Sequence, residues 1–368
     1  MLSRCSLLAL AAAGVLLTLA PASPAQTVPP RPGNTEGFTL DSAIPTPRQV
    51  LGHDLGERFT RSDEILVYMR ALAAKSDRVR IESYGKSVQG RELAIVTISA
   101  PKNLKNLDAI LERNRKLADP ATAAADVSRI TAENPAIAWF SNSVHGNEPS
   151  PAEASMQLAY LLAAAKDKDI LDALDKVVLV LDPCLNPDGH DRYVNWFANT
   201  VGESPDPNPD ASEHSEPWPG GRTNHYYYDL NRDWLWLVQP ESAQRLPIYR
   251  RYLPQLHIDH HEQGHTQPYF LGPGDDPYNT NIPAETRRWI DKYGRANADA
   301  FDHWGYVYST KERFDYLYPG YGKVMPVYHG AVGMLSEKGG HTRAGLAIEL
   351  RAGTLLTLEE RIRHNVAL

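Results

Sequence analysis

Cysteine is nearly absent from the 368 residues: there are two, Cys5 and Cys184. Cys5 lies in a stretch read below as cleaved, so no internal disulfide is expected, and a disulfide-stapled scaffold is excluded. Long basic runs are missing too. With 38 Lys+Arg against 45 Asp+Glu the formal net charge is −7. A nucleic-acid groove or an anionic-membrane patch needs clustered Lys/Arg, so neither is expected as a partner. Past the N-terminus no segment stays apolar for the roughly 20 residues that span hydrocarbon. What is present, 42% hydrophobic and 23% charged residues, suits a folded globule with a sizeable core.

Arg4 precedes an apolar run over residues 7–20, and Pro21, Pro24 and small residues up to Ala25 follow. This order reads as a secretory signal cleaved near Ala25, because the run is short for a membrane anchor and prolines end it. A secreted or periplasmic protein is expected, without membrane attachment after cleavage. The expected division is a signal at 1–25, a Pro/Gly-rich lead-in at 26–58 and one domain over 59–368. The chain ends soon after residue 337 in the helical-looking LEERIRHNVAL, and relatives are expected to extend further.

Apolar spacing predicts a helix over residues 62–74 and a second over 151–165, where Pro151 stands at the start. Strands are expected at 79–83, in LAIVTIS, at 136–141, at 177–182 and at 255–261. Nearly all-apolar strands separated by amphipathic helices mark a mostly parallel sheet covered on both faces. Residues 202–223, rich in Pro, Asp and Ser, read as a long loop.

Three constellations carry chemistry. His145-Gly-Asn-Glu148 follows a predicted strand directly, where ligands collect in open α/β sheets, and imidazole plus carboxylate three residues apart can face one metal ion. Asn186-Pro-Asp-Gly189 follows the next buried strand, and Asp229-Leu-Asn231-Arg232 follows the long loop. Alone, the first of these is also a tight-turn sequence and the second a surface ion pair. The third constellation, His257-Ile-Asp-His260-His261-Glu262-Gln-Gly-His265, contains a literal HExxH. On a helix it would announce a zincin-type endopeptidase with His261 and His265 as ligands. Alternation around Leu256 and Ile258, Gly264 and the nearby Pro268 favour a strand instead, with His260 and His261 on opposite faces.

In that order and spacing, HxxE, NPDG, D-x-N-R and a distal His resemble the zinc carboxypeptidases of the carboxypeptidase A type, from about Ser62 to the end. The resemblance implies a single α/β domain, a mixed and mostly parallel twisted sheet with helices on both faces. It also implies one zinc ion per chain held by His145, Glu148 and His261. A general base must accompany such a site. Glu349, in GLAIELRAG, matches the family's Glu-Leu-Arg wording, whereas spacing from His261 and the preceding tyrosine-bearing loop favour Glu337. Arg222 is the candidate for the oxyanion, with Arg192 the alternative. Asn231 and Arg232 would clamp a substrate's terminal carboxylate, and Tyr318, with Tyr321 close behind, would close over it. The expected activity is an exported metallocarboxypeptidase acting on peptides. Alternatives are an amidohydrolase of N-acyl amino acids or cell-wall peptides, the zincin reading, and a peptide-binding homologue without turnover.

Overall fold

In the computed structural model, Thr35 and residues 37–350 and 353–367 are described, and they belong to one compact unit. The expected signal at 1–25 lies outside the described residues. Within the expected lead-in the chain is less extended than its composition suggests: Pro47–Leu51 forms a short helix, α1, closed at its start by a Thr46 capping box. Leu40 bridges to Ala165 and Ile44 is buried in the core.

The remaining helices are α2 (Ser62–Lys75), α3 (Pro101–Lys105), α4 (Leu107–Leu117), α5 (Ala124–Glu133), α6 (Ser150–Ala164), α7 (Lys168–Lys176), α8 (Pro187–Thr200), α9 (Pro240–Tyr252), α10 (Ala284–Trp304) and α11 (Leu358–Val366). The main strands are β1 (Val79–Lys86), β2 (Glu92–Ile98), β3 (Ala136–Asn142), β4 (Val177–Asp182), β5 (Leu256–Gly264), β6 (Tyr269–Leu271), β7 (Tyr308–Ser309) and β8 (Val332–Gly340). They form one eight-stranded sheet in the order β1-β2-β4-β3-β5-β8-β6-β7, and the four central strands β4, β3, β5 and β8 run parallel. A separate hairpin joins β9 (Ala347–Glu349) to β10 (Leu355–Thr357).

β4 and the first five residues of β3 are apolar, apart from Asp182 at the end of β4, because both faces are covered. Leu179 and Leu181 pack with Ile65, Met69 and Leu72 of α2 and with Met156 of α6. Their neighbours Val178 and Val180 face the other way and, with Ile137 and Trp139, meet Leu111 of α4 and Tyr249 and Tyr252 of α9. Burying one such side chain contributes about 1.5–3 kcal/mol. The expected mixed, mostly parallel sheet between helices is therefore observed. NPDG behaves differently from a tight turn: Asn186 is an N-cap whose side chain accepts the Gly189 N–H, and Pro187 opens α8.

This topology positions the site. β3 leads through α6 and α7 to β4 on one side of it, while β5 lies on its other side, so the crevice at the carboxyl ends of β3 and β5 is a switch point.

Candidate active site and metal centre

His145 and Glu148 lie in the turn that leaves β3, and His261 lies on β5, whose residues pair in register with β3 up to Asn142. His145 Nδ1 is 2.8 Å from Glu148 Oε1, His261 Nδ1 is 2.9 Å from Glu148 Oε2, and the two Nδ1 atoms are 3.2 Å apart. All three side chains are buried. On the far edge of each ring, Nε2–H donates to a carboxylate: His145 to Asp229 at 3.1 Å and His261 to Asp259 at 2.8 Å. That assignment leaves a lone pair on each Nδ1, and both lone pairs converge on an ionised carboxylate. Such a convergence in a buried pocket fits a cation, and a two-imidazole, one-carboxylate set suits zinc. Without a cation in the site, burial works to raise the Glu148 carboxyl, but positive charge and N–H donation from protonated His145 and His261 hold it well below its usual range. Among the described residues these three are the group able to hold a metal ion.

The helix that the HExxH reading requires is absent. Residues 256–264 form strand β5, and His265 lies past its end, outside the metal-capable group. Glu262 has other employment: its carboxylate pairs with Arg361 of α11 at 2.9 Å, both side chains being fully buried, and it also accepts from the Ser150 hydroxyl. Its backbone N–H donates to Glu148 Oε2 at 3.0 Å, so the pair ties α11 to Glu148 of the metal-capable group. His260, as alternation requires, turns away and bonds Ser336 Oγ at 2.8 Å.

A cavity of about 410 Å³ contains the trio together with Arg222, Asn231, Arg232, Tyr321, Lys323 and Glu337. Glu337 is the register partner of His261 on the adjacent parallel strand β8, so both side chains emerge on one face. Its Oε2 is buried with no partner among the described residues. Burial pushes the carboxyl up to about 7; the His261 charge opposes this and the Glu148 charge adds to it. Glu349 ends β9, is exposed and does not line the cavity.

Arg222 is held by Asp229, to whose Oδ2 its Nη2 donates at 3.0 Å, and its Nη1 comes within 3.7 Å of Glu148 Oε1. Arg192 instead gives its guanidinium to the carbonyls of Gly220 and Asn224 and stays out of the cavity. Asn231 accepts the Gly322 N–H at 2.7 Å, and Arg232 lies over the Tyr321 ring at 4.7 Å. The Tyr318 hydroxyl donates to the Arg232 carbonyl at 2.9 Å and accepts from Trp236 Nε1 at 2.7 Å; it is Tyr321 that lines the cavity.

Two residues gain roles that sequence reasoning did not assign. Asp259 stands two before His261, which on a strand puts both on one face, so this partner was legible. Asp229 is part of the quoted D-x-N-R motif, but its bond to His145, 84 positions away, belongs to the tertiary fold.

The sequence matches the zinc carboxypeptidase family over residues 65–319, a stretch that includes the trio, Arg222, Asn231, Arg232 and Tyr318 and ends before Glu337. No curated protein matches it. Among solved structures, a metallo-carboxypeptidase from Burkholderia cenocepacia superimposes with TM-score 0.56 at 14% identity, covering 84% of this chain and 67% of that one. Carboxypeptidase A from Helicoverpa armigera gives TM-score 0.53 at 16% identity over 81% of this chain and 67% of that one. A Pseudomonas aeruginosa metallo-carboxypeptidase in complex with (2-guanidinoethylmercapto)succinic acid gives 0.52 at 14% identity over 83% and 67%. At these identities the superpositions establish the fold. The family match covers most of the chain, and the chain belongs to the zinc carboxypeptidases, metallopeptidases whose cofactor is zinc.

Proposed function

We propose that the protein is an exported exopeptidase that removes C-terminal residues from peptides, with His145, Glu148 and His261 as zinc ligands. The observation that carries this is the convergence on one cavity of the trio, the partnerless Glu337 oxygen, Arg222 and Arg232. Zinc bound there supplies a Lewis acid and brings the pKa of water toward neutrality.

The chain's own groups account for the remaining demands. Glu337, with a carboxyl raised to about 7, is poised to take the attacking water's proton and to hand it to the leaving amine. Arg222 sits beside the ligands, oriented by Asp229, where a guanidinium can stabilise charge developing on the scissile oxygen. Arg232, stacked on Tyr321, presents a planar fork suited to a terminal carboxylate, with Asn231 beside it. Tyr318 supports that clamp from behind through the Arg232 carbonyl. Export rests on Arg4, the apolar run and the small residues up to Ala25. No helix among the described residues is long and apolar enough to cross a membrane.

The test combines elemental mass spectrometry for zinc with release assays on free C-terminal peptides, C-terminally amidated peptides and N-acyl amino acids. One zinc per chain and release from free C-termini are expected. Activity confined to acyl amino acids overturns the peptidase claim, and zinc without any turnover supports a binding homologue. N-terminal sequencing of the exported protein, expected to begin near Gln26, checks the signal.

A further inference from the structure

Apart from ligands, base and clamp, the cavity wall includes Gln267, Phe314, Asp315, His341 and two further cations, Lys323 and the exposed Arg313, which donates to Gln267 Oε1 at 3.2 Å. Lys323 is only 4% exposed, an unusual position for a lysine. Its ammonium donates to the Phe314 carbonyl and lies 4.6 Å from the Tyr316 ring centroid. No carboxylate among the described residues comes within ion-pairing distance of it, and of its three N–H bonds one has a protein acceptor.

The nearest acids act on it only at longer range. Asp315 accepts the Leu317 N–H at 2.9 Å, Asp259 is bonded to His261, and Glu337 is the proposed base. Burial holds the Lys323 ammonium down to about 7, although Asp315, Glu337 and Asp259 oppose this.

The backbone that carries Lys323 is closely packed. The Gly322 N–H is held by Asn231 Oδ1, a Cβ at Gly322 would collide with Asp259, and a Cβ at Gly333 would collide with the Lys323 carbonyl. The same contacts place it one residue from the group that touches Asn231, so it borders the clamp for the terminal carboxylate.

A buried cation short of a partner, next to the clamp and inside the substrate cavity, calls for an anion brought by the substrate. We propose that Lys323 sets the specificity of this enzyme, and that the residue it removes carries an acidic side chain, glutamate or aspartate, whose carboxylate pairs with the Lys323 ammonium. The inference rests on the exopeptidase reading and adds to it the class of substrate. An apolar or basic C-terminal residue would leave the ammonium unpaired or repelled, the situation in which a buried polar group discriminates most strongly.

The test uses the zinc-loaded protein and N-acyl dipeptides ending in Glu, Gln, Leu or Lys. The expected kcat/KM for Glu exceeds that for Gln and Lys by at least about tenfold. Lys323→Met is expected to lower kcat/KM for Glu by at least about tenfold while moving Leu within a few fold. Lys323→Arg, which keeps the charge if Lys323→Met does not fold, is expected to retain the Glu preference. Turnover that favours Leu or Lys in the wild type overturns the inference and leaves the exopeptidase reading standing. So does a Glu preference that survives Lys323→Met or disappears in Lys323→Arg. Failure to release any of the four residues overturns both.

Discussion

Replacing Arg361 with methionine leaves the Glu262 carboxylate buried without its counter-ion. The wild-type pair is 2.9 Å long with neither side chain exposed. Arg361 also donates to the Gly345 carbonyl, and Gly340 leaves just enough room, since a Cβ there would lie 2.8 Å from both Arg361 Nη1 and Glu262 Oε1. After the substitution Glu262 keeps the Ser150 hydroxyl but already has one oxygen, Oε2, without a partner. Removing one member of a fully buried pair costs about 3–5 kcal/mol, and the methionine's apolar volume returns part of it. A net loss of roughly 3 kcal/mol in a domain of this size lowers the melting temperature by about 4–5 °C. The Glu262→Met/Arg361→Met double variant is expected to recover most of that loss, because an apolar pair needs no charge compensation. Differential scanning calorimetry of the four members of the cycle provides the measurement. A melting temperature for Arg361→Met within 1 °C of wild type, or a double variant that loses the sum of the singles, refutes the reasoning. Because the Glu262 N–H donates to Glu148, Arg361→Met is also expected to weaken zinc retention during dialysis.

Glu337→Gln is expected to keep zinc and lose about 10²–10⁴ in kcat/KM, whereas Glu349→Gln stays within a few fold; the reverse result in peptide-release assays transfers the base role to Glu349. Asp229→Asn is expected to weaken zinc binding by about 10–100-fold, as loss of a partner behind a ligating imidazole does, with chelator competition as the readout. Burial raises the Glu153 carboxyl from its ordinary 4.5 to about 7, while the Thr60 N–H and hydroxyl oppose the rise. An acid raised on folding contributes stability that is complete below 4.5 and lost as the pH climbs through about 7. Glu153→Gln is therefore expected to remove a fall on the order of 2–3 kcal/mol between pH 5 and pH 8; urea midpoints that fall equally in both proteins would contradict this. Stripping zinc is expected to lower the melting temperature, since a ligand bound to the native state alone stabilises it, and re-addition should restore it.

Much of the fold was legible because β3 and β4 carry both-face burial as apolar runs. Residues 177–182 read as a strand and form β4 with the same bounds, and the helix expected at 62–74 is α2 with one more residue. α10 was harder to see. Its buried stripe is Ile290, Gly294, Ala298 and Phe301, and two of those four are too small to give a strong apolar signal. In α8 the Pro-Asp-Gly run resembles a turn until the Asn186 side chain caps it. HExxH was ambiguous locally, and pairing of β5 with both β3 and β8 decided for strand: a residue whose two neighbours supply ladder bonds has no use for helical ones.

By itself the sequence determined which side chains could meet at a metal, because residue type and spacing along each strand end are local: His145 with Glu148, and His261 on the opposite face from His260. Only the tertiary structure decided which distant groups serve them. Register between β5 and β8 set Glu337 beside His261, the long loop's return set Arg222 rather than Arg192 in the cavity, and packing of residues 321–323 against Asn231 and Gly333 brought Lys323 to its wall. Those choices depend on contacts between segments far apart in the chain, which no local pattern encodes.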